Sequence, residues 1–483
     1  MTSLDRRTLL GSLASLVLAG GLAGCNESAD TTPAAGATPT LTSTPVQPVT
    51  EAPTDSPTET AEPTPGDAAT ARAFVRDLGD GAYGQARDRL ATAAADRLSA
   101  DTLERLWLAL TAQHGALRET TDVERTTAAE SPVVTVTAGC VEADQPVRCT
   151  FDDAGDITKV RFPAAYSPPA YADESAFTER PVTVEGAGCS LPGTLSVPEA
   201  AASAPGDEYG SDETVPGVVL VHGSGRHDRD ETIGPNKPFR DLAWGLATRG
   251  VAVLRYEKRT AACDVPPGDW SIDNIVVEDA VRAVELLGAQ DGIDPDRQYV
   301  VGHSLGAICT PRIAERTDLA GGAMLAASAR PITDVLRDQR RHLLSVVGGL
   351  SDEEEDQLAA IDETLTRIED GEVTADERVQ GLPGSWWSSL LAYDQVATAK
   401  RVETPLSLLQ GGRDYQVTEA DDFARWRSEL ADRPNTSASL YPDLSHLFQS
   451  GTEPSLAGEY SFPDNVAESV VTDIAAWVAR IGC

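Results

Sequence analysis

The rhythm of apolar and polar positions along this chain changes several times, and each change marks a boundary. An apolar run from Leu9 to Ala23 comes first, glycine-rich and short for a stable transmembrane helix. Residues 25–66 follow, rich in Thr, Pro, Ala and Ser with scattered acids and no hydrophobic period. Such a segment cannot bury a core and reads as a linker, spanning roughly 35 Å as a flexible coil. Helical spacing then runs through Ala68–Leu78, Tyr83–Leu98 and Ala100–Leu117, and alternation predicts strands near Val133–Val141, Val147–Asp152 and Ile157–Phe162. Residues 67–165 therefore predict a separate small α+β domain.

A different pattern fills 177–483. Thr178–Glu185 and Leu191–Val197 predict two leading antiparallel strands, and Ala200–Pro216 an acidic loop. Val218–Val221 is a continuous apolar strand ending at His222-Gly223-Ser224-Gly225. A helix over Lys237–Arg249, a strand over Val251–Tyr256 and a helix over Ile275–Leu287 come next. The strand Tyr299–Val301 follows, then a helix from Leu305 and a strand near Gly322–Ala327. Strands alternating with helices imply a mostly parallel sheet covered on both faces. Residues 333–400 break the alternation with a mostly helical, acidic excursion. Strands at Pro405–Gln410 and Ser437–Leu440 and a helix at Val466–Ile481 complete the pattern.

Chemistry concentrates at Gly302-His303-Ser304-Leu305-Gly306, which fits G-x-S-x-G between a strand and a helix. That elbow holds a serine at a strained backbone angle above a parallel sheet, and side chains at the glycine positions would collide with the turn. The helix after it aims free N–H groups at the serine.

A serine hydroxyl needs a base to take its proton and an acid to orient that base. Six histidines are available. His114 falls in the small domain, where it reads as a packing residue, and His342 in the excursion. His303 should point away from the serine, His222 ends a strand, and His227 sits where it can line the site. His446, between the last strand and the last helix, is the expected base. The expected acid is Asp414, in Gly411-Gly412-Arg413-Asp414 directly after a strand, with Asp421, Asp422 and Asp443 as nearby alternatives. Oxyanion donors are expected from the N–H of Leu305 and from Ser224 or Gly225.

Composition narrows the setting. The chain has 483 residues, and 76 acidic against 39 basic residues give a formal charge of −37, spread through every segment. This excludes nucleic acid as an electrostatic partner and fits a protein adapted to high salt, where self-repulsion is screened. Neither a CxxC pair nor a Cys/His cluster at metal-ligand spacing occurs among the seven cysteines, so no metal or cofactor is expected.

The N-terminus carries a twin-arginine pattern, Asp5-Arg6-Arg7-Thr8-Leu9-Leu10, and 1–24 reads as a signal. Leu22-Ala23-Gly24-Cys25 resembles the lipobox of bacterial and archaeal lipoproteins. The resemblance implies lipidation of Cys25 and an exported protein anchored to the outer face of the cell membrane. Disulfides persist outside the cytoplasm. Cys140 with Cys149, on two arms of a predicted hairpin, is the preferred pair. Cys189 with Cys263 is second, and Cys309 is expected as a buried free thiol.

Residues 217–259 and 298–310, with the GGRDYQVT and SHLF segments, resemble the secreted α/β-hydrolases of the dienelactone-hydrolase or serine-aminopeptidase-like group. Members of that group commonly carry a small preceding domain, and 67–165 resembles its NTF2-like or cystatin-like layout. The resemblance implies an α/β-hydrolase fold, with 333–400 as a helical cap, and hydrolysis of carboxylic esters through an acyl-enzyme on Ser304. A peptidase or amidase using the same triad, and a non-catalytic surface binding protein, are the alternatives. Trp386 and Trp387, beside a flexible turn in the cap, are expected either to wall an apolar substrate pocket or to pin the cap to the body.

Overall fold

The computed structural model describes residues 65–128, 131–199 and 214–481. The signal with Cys25, the linker to residue 64, most of the acidic loop after 199 and Cys483 lie outside the described residues.

The small unit opens with helix α1 (Pro65–Gly79), followed by two short helical pieces at Tyr83–Arg87 and Thr92–Ala95. Helix α2 (Ala100–His114) is capped by Ser99, whose hydroxyl accepts the Thr102 N–H at 3.1 Å. The single helix expected over Tyr83–Leu98 is thus broken in two. The one expected to reach Leu117 stops at His114, because Gly115 turns into the left-handed region at φ 76°. Four antiparallel strands follow in the order β1-β2-β3-β4: β1 (Leu117–Ala128), β2 (Ser131–Cys140), β3 (Asp144–Phe151) and β4 (Ile157–Arg161). Phe74, Leu78, Trp107 and Leu110 from the helices bury against Val134, Val136, Val147 and Phe151 from the sheet. Two further members of this core, Leu456 and Phe462, come from the far end of the chain.

The large unit is built on an eight-stranded sheet. Its first strands are β5 (Phe177–Gly186), β6 (Cys189–Pro198), β7 (Val215–Val221) and β8 (Ala252–Tyr256), with helix α3 (Pro238–Thr248) between the last two. Helix α4 (Glu278–Gly288) leads to β9 (Ile293–His303), helix α5 (Leu305–Ala314) and β10 (Gly321–Leu325). The excursion holds α6 (Ile332–Ser345), α7 (Asp352–Glu369), a two-residue hairpin of β11 (Arg378–Val379) and β12 (Leu382–Pro383), α8 (Gly384–Leu391) and α9 (Gln395–Arg401). Strands β13 (Leu406–Gly411) and β14 (Thr436–Tyr441) and helix α10 (Glu468–Ile481) finish it.

The strand order is β14-β13-β10-β9-β7-β8-β6-β5. Every pairing from β14 to β8 is parallel, while β6 joins β8 and β5 antiparallel. The inner parallel strands β7, β8, β10 and β13 are buried along their whole length because helices cover both faces: α4 and the excursion on one, α3 and α10 on the other. This is the mostly parallel α/β sheet with a helical excursion that the pattern implies. Its carboxyl edge, where open sheets of this kind bind ligands, receives the loops after β7, β9, β13 and β14.

The preferred disulfide is not formed. Cys140 and Cys149 are both buried free thiols. The register sets Cys149 opposite Val134 and brings Gly139 opposite Asp144, so the two cysteines lie far apart along the hairpin. Cys189 instead bonds Cys263, with Cα atoms 6.2 Å apart, and Cys309 is free and buried.

Candidate active site

Ser304 leaves β9 at φ 53° and ψ −112°, a backbone conformation that costs free energy in any residue with a side chain. The glycines around it permit this. A Cβ on Gly302 would strike the Gly306 backbone, and one on Gly306 would strike the carbonyl of Val221. The Ser304 N–H is held by the Leu325 carbonyl at 2.9 Å. Leu305 is the first residue of α5, so its N–H has no partner within the helix.

Asp414 and His446 meet behind this elbow. His446 Nδ1 donates to Asp414 Oδ2 at 2.7 Å, and both side chains are buried. The same carboxylate accepts from the Gln410 side chain at 3.1 Å and from the backbone N–H groups of Gln416 and Val417 at 2.8 and 3.0 Å. Four donors thus fix one carboxylate, and that carboxylate fixes one imidazole. A proton on Nδ1 leaves Nε2 as the basic nitrogen of the ring. Asp421 is exposed, Asp443 is exposed, and Asp422 is bound to Arg330 at 3.0 Å, so the other nearby acids are engaged elsewhere.

Ser304 and His446 line one small cavity of about 70 Å³, together with Gly223, Ser224, His227, Glu231, Ile233 and His303. Tyr415, Gln416, Leu447, Ala457 and Tyr460 complete it. Of the two candidates for a second N–H donor, Ser224 lines this cavity and Gly225 does not; the Gly225 carbonyl accepts from Thr260 at 3.2 Å. His227 also lines it, its Nε2 donating to the Ser224 carbonyl at 2.5 Å.

Trp386 and Trp387 are elsewhere, and the substrate-wall expectation for them is corrected. Trp386 packs edge-on against Trp270 with centroids 6.0 Å apart, and Trp387 donates to the Val379 carbonyl at 3.1 Å. Both are buried in the core under the sheet. Large flat side chains beside a turn were recruited to hold the excursion down.

A buried charge cluster that the sequence reading missed runs behind the elbow. Glu231 Oε1 accepts the Gly223 N–H at 2.6 Å, and its other oxygen stands 3.0 Å from His303 Nδ1 at an angle short of a straight hydrogen bond. His303 Nε2 donates to the His446 carbonyl at 3.0 Å. One carboxylate therefore links the loop after β7, the elbow and the loop carrying His446. Burial alone would raise the Glu231 carboxyl; the charge of His303 outweighs it, with His227 and His222 adding, and brings it down to about 2. His303 shifts the other way, upward, because Glu231 overcomes the desolvation that would lower it. Lys258 donates to the Gly223 carbonyl, and burial pushes its ammonium down to about 8 against the pull of Glu231. His222 is pushed down to about 3 by burial and stays neutral. Glu231 lies in an Asp-rich loop, and its one local signal, a positive φ of 52°, is invisible in sequence. Among the described residues no group of three or more His, Cys, Asp or Glu is arranged to hold a metal ion.

Residues 218–455 match the model of the Alpha/beta hydrolase family. Over 411 residues the chain is 37% identical to Esterase EstD of Thermotoga maritima, covering 84% of this chain and 94% of that protein. That match is longer than segment 177–483 and so reaches into the small unit. Among solved structures, Est1E from Butyrivibrio proteoclasticus aligns at 16% identity with a TM-score of 0.39, over 62% of this chain and 98% of its own. An esterase of Pyrococcus furiosus aligns at 14% identity with a TM-score of 0.40, over 65% of this chain and 97% of its own.

Proposed function

The chain belongs to the alpha/beta hydrolase family, and from that premise we propose that it is a serine hydrolase cleaving carboxylic esters at Ser304. The observation that carries the reading is the 2.7 Å bond to Asp414 from His446, which lines the same cavity as Ser304. The 37% identity to an esterase over most of both chains supports ester as the bond cleaved.

In this reading His446 Nε2 removes the Ser304 proton as the hydroxyl oxygen attacks the ester carbonyl. Asp414 steadies the imidazolium that forms. The N–H groups of Leu305 and Ser224 receive the oxyanion, in a site where the backbone is already fixed and little reorganisation is needed. Collapse of the tetrahedral species expels the alcohol, protonated by His446, and leaves an acyl group on Ser304. Water then repeats the sequence and releases the acid. His227 borders the substrate, and its bond to the Ser224 carbonyl orients the peptide whose neighbour donates to the oxyanion.

Ser304→Ala is expected to abolish labelling by a fluorophosphonate, and His446→Ala to lower kcat by several orders of magnitude, because members of a triad act as a unit. Labelling that survives in Ser304→Ala refutes the assignment. A panel of esters, thioesters and peptide amides at high salt separates esterase from amidase or peptidase. We propose separately, from the twin-arginine pattern at Asp5–Leu10 and the lipobox resemblance at Leu22–Cys25, that the enzyme is exported and tethered through a lipid on Cys25.

A further inference from the structure

The small unit and the catalytic cavity share a piece of chain. The segment 450–464 leaves the loop of His446, and its short helical turn Ala457–Ser461 supplies Ala457 and Tyr460 to the cavity wall. The other side of the segment belongs to the small unit. Leu456 and Phe462 are buried in that unit's core, Phe462 meeting Phe162 edge-on with centroids 5.9 Å apart. Thr452 N–H donates to the Ala112 carbonyl of α2 at 2.8 Å. Gln113, at the end of α2, donates to Asp464 at 2.6 Å. Gly458 presses on α2 so closely that a Cβ there would lie 2.9 Å from the Cβ of Ala109. No backbone angle demands glycine at 458; the approach to α2 does.

Beside this turn the cavity lining is also held by the helical excursion. Tyr415 stacks on His342 of α6 with centroids 4.8 Å apart. Beneath the turn, Glu459 pairs with Arg413 at 2.7 Å, tying it to the loop that carries Asp414. The cavity lining is therefore registered on the helical excursion through Tyr415 and on the small unit through the turn of Ala457 and Tyr460.

Building on the ester hydrolase reading, we propose that the small unit is part of the substrate site, with Ala109 of α2 a specificity-determining position that sets the Ala457–Tyr460 wall and the acyl length admitted. Ala109 touches no substrate and acts through Gly458. A side chain at 458 meets α2, and the same turn carries Ala457 and Tyr460 of the cavity wall; α2 is fixed in a packed core, so the turn yields toward the cavity.

The test uses the full chain at high salt. Rates of inactivation by a short and a long alkyl fluorophosphonate, and kcat/KM on p-nitrophenyl acetate and octanoate, are compared in wild type, Gly458→Ala and the double variant Ala109→Gly/Gly458→Ala. Gly458→Ala is expected to lower the long-to-short ratio about tenfold, since displacement of a substrate wall on the order of 1 Å costs up to a hundredfold. The double variant, with the clashing methyl removed from α2, is expected to return most of that ratio. A folded Gly458→Ala with the wild-type ratio overturns the proposal, as does a ratio that Ala109→Gly leaves uncorrected. A Gly458→Ala chain that fails to fold moves the test to Gln113→Leu, which frees Asp464, and an unchanged ratio there overturns it equally. Wild type that reacts with neither phosphonate defeats the ester hydrolase reading and this proposal with it.

Discussion

Replacing Glu231 with glutamine keeps the shape of the side chain and an oxygen for the Gly223 N–H, and removes the charge facing His303. The structure sets the size of the loss. Holding a carboxyl near 2 that would otherwise ionise at 4.5 corresponds to about 3 kcal/mol, at about 1.4 kcal/mol for each tenfold change in ionisation. The sign differs at the two ends of the pH scale. Glu231 is depressed, so its contribution is complete above about 4.5 and fades as pH falls toward 2. His303 is raised, so its contribution is complete below its ordinary 6.5 and fades as pH rises through its higher folded value. Both hold together only between about pH 4.5 and 6.5, and there Glu231→Gln is expected to be most destabilising. Urea unfolding of wild type and variant at pH 5.5 and again at pH 8.5, in the same high salt, reads the difference. Salt screens the surface charges but leaves a buried pair largely intact. A penalty below about 0.5 kcal/mol at pH 5.5, or one that grows between pH 5.5 and 8.5, refutes the charged pair.

Trp387→Ala is expected to destabilise by about 3–5 kcal/mol, as for large buried aromatics generally, and to leave the acyl-length profile of the folded fraction unchanged; a changed profile with intact stability would return this residue to the substrate site. Cys25→Ser is expected to shift the protein from the membrane fraction to the soluble one, and a variant that stays with membranes after a salt wash contradicts the lipid anchor.

Much of the large unit was legible because its signals are local. Val218–Val221 and Tyr299–Val301 are unbroken apolar runs, and two glycines flank Ser304 where the backbone comes too close for side chains. What escaped is what depends on distance in space. Strand β1, LRETTDVERTTA, carries almost no apolar alternation and exists because it pairs with β2. Cys140 and Cys149 looked paired because both sit on hairpin arms, and only the register separates them. Glu231 was one acid among 76, and nothing local distinguishes a carboxylate that will be buried against His303 from one left in water. Tyr415 and Tyr460 are ordinary loop aromatics until the excursion and the small unit close around them.

The shared core also sets an order of events when the chain is made. Leu456 and Phe462 complete the interior of a unit whose first helix begins at Pro65, and Gln113 waits for Asp464 across a separation of 351 residues. At ordinary rates of synthesis that interval lasts roughly 20–70 s. During it the early segment carries an open apolar patch where Phe462 will sit, and it has a cavity in place of its last two side chains. The unit that is first off the ribosome is therefore among the last to be finished. Closing so long a loop costs only slowly rising entropy, so the penalty falls on time rather than on final stability. The nascent chain must stay unaggregated until its own C-terminal part arrives to seal it.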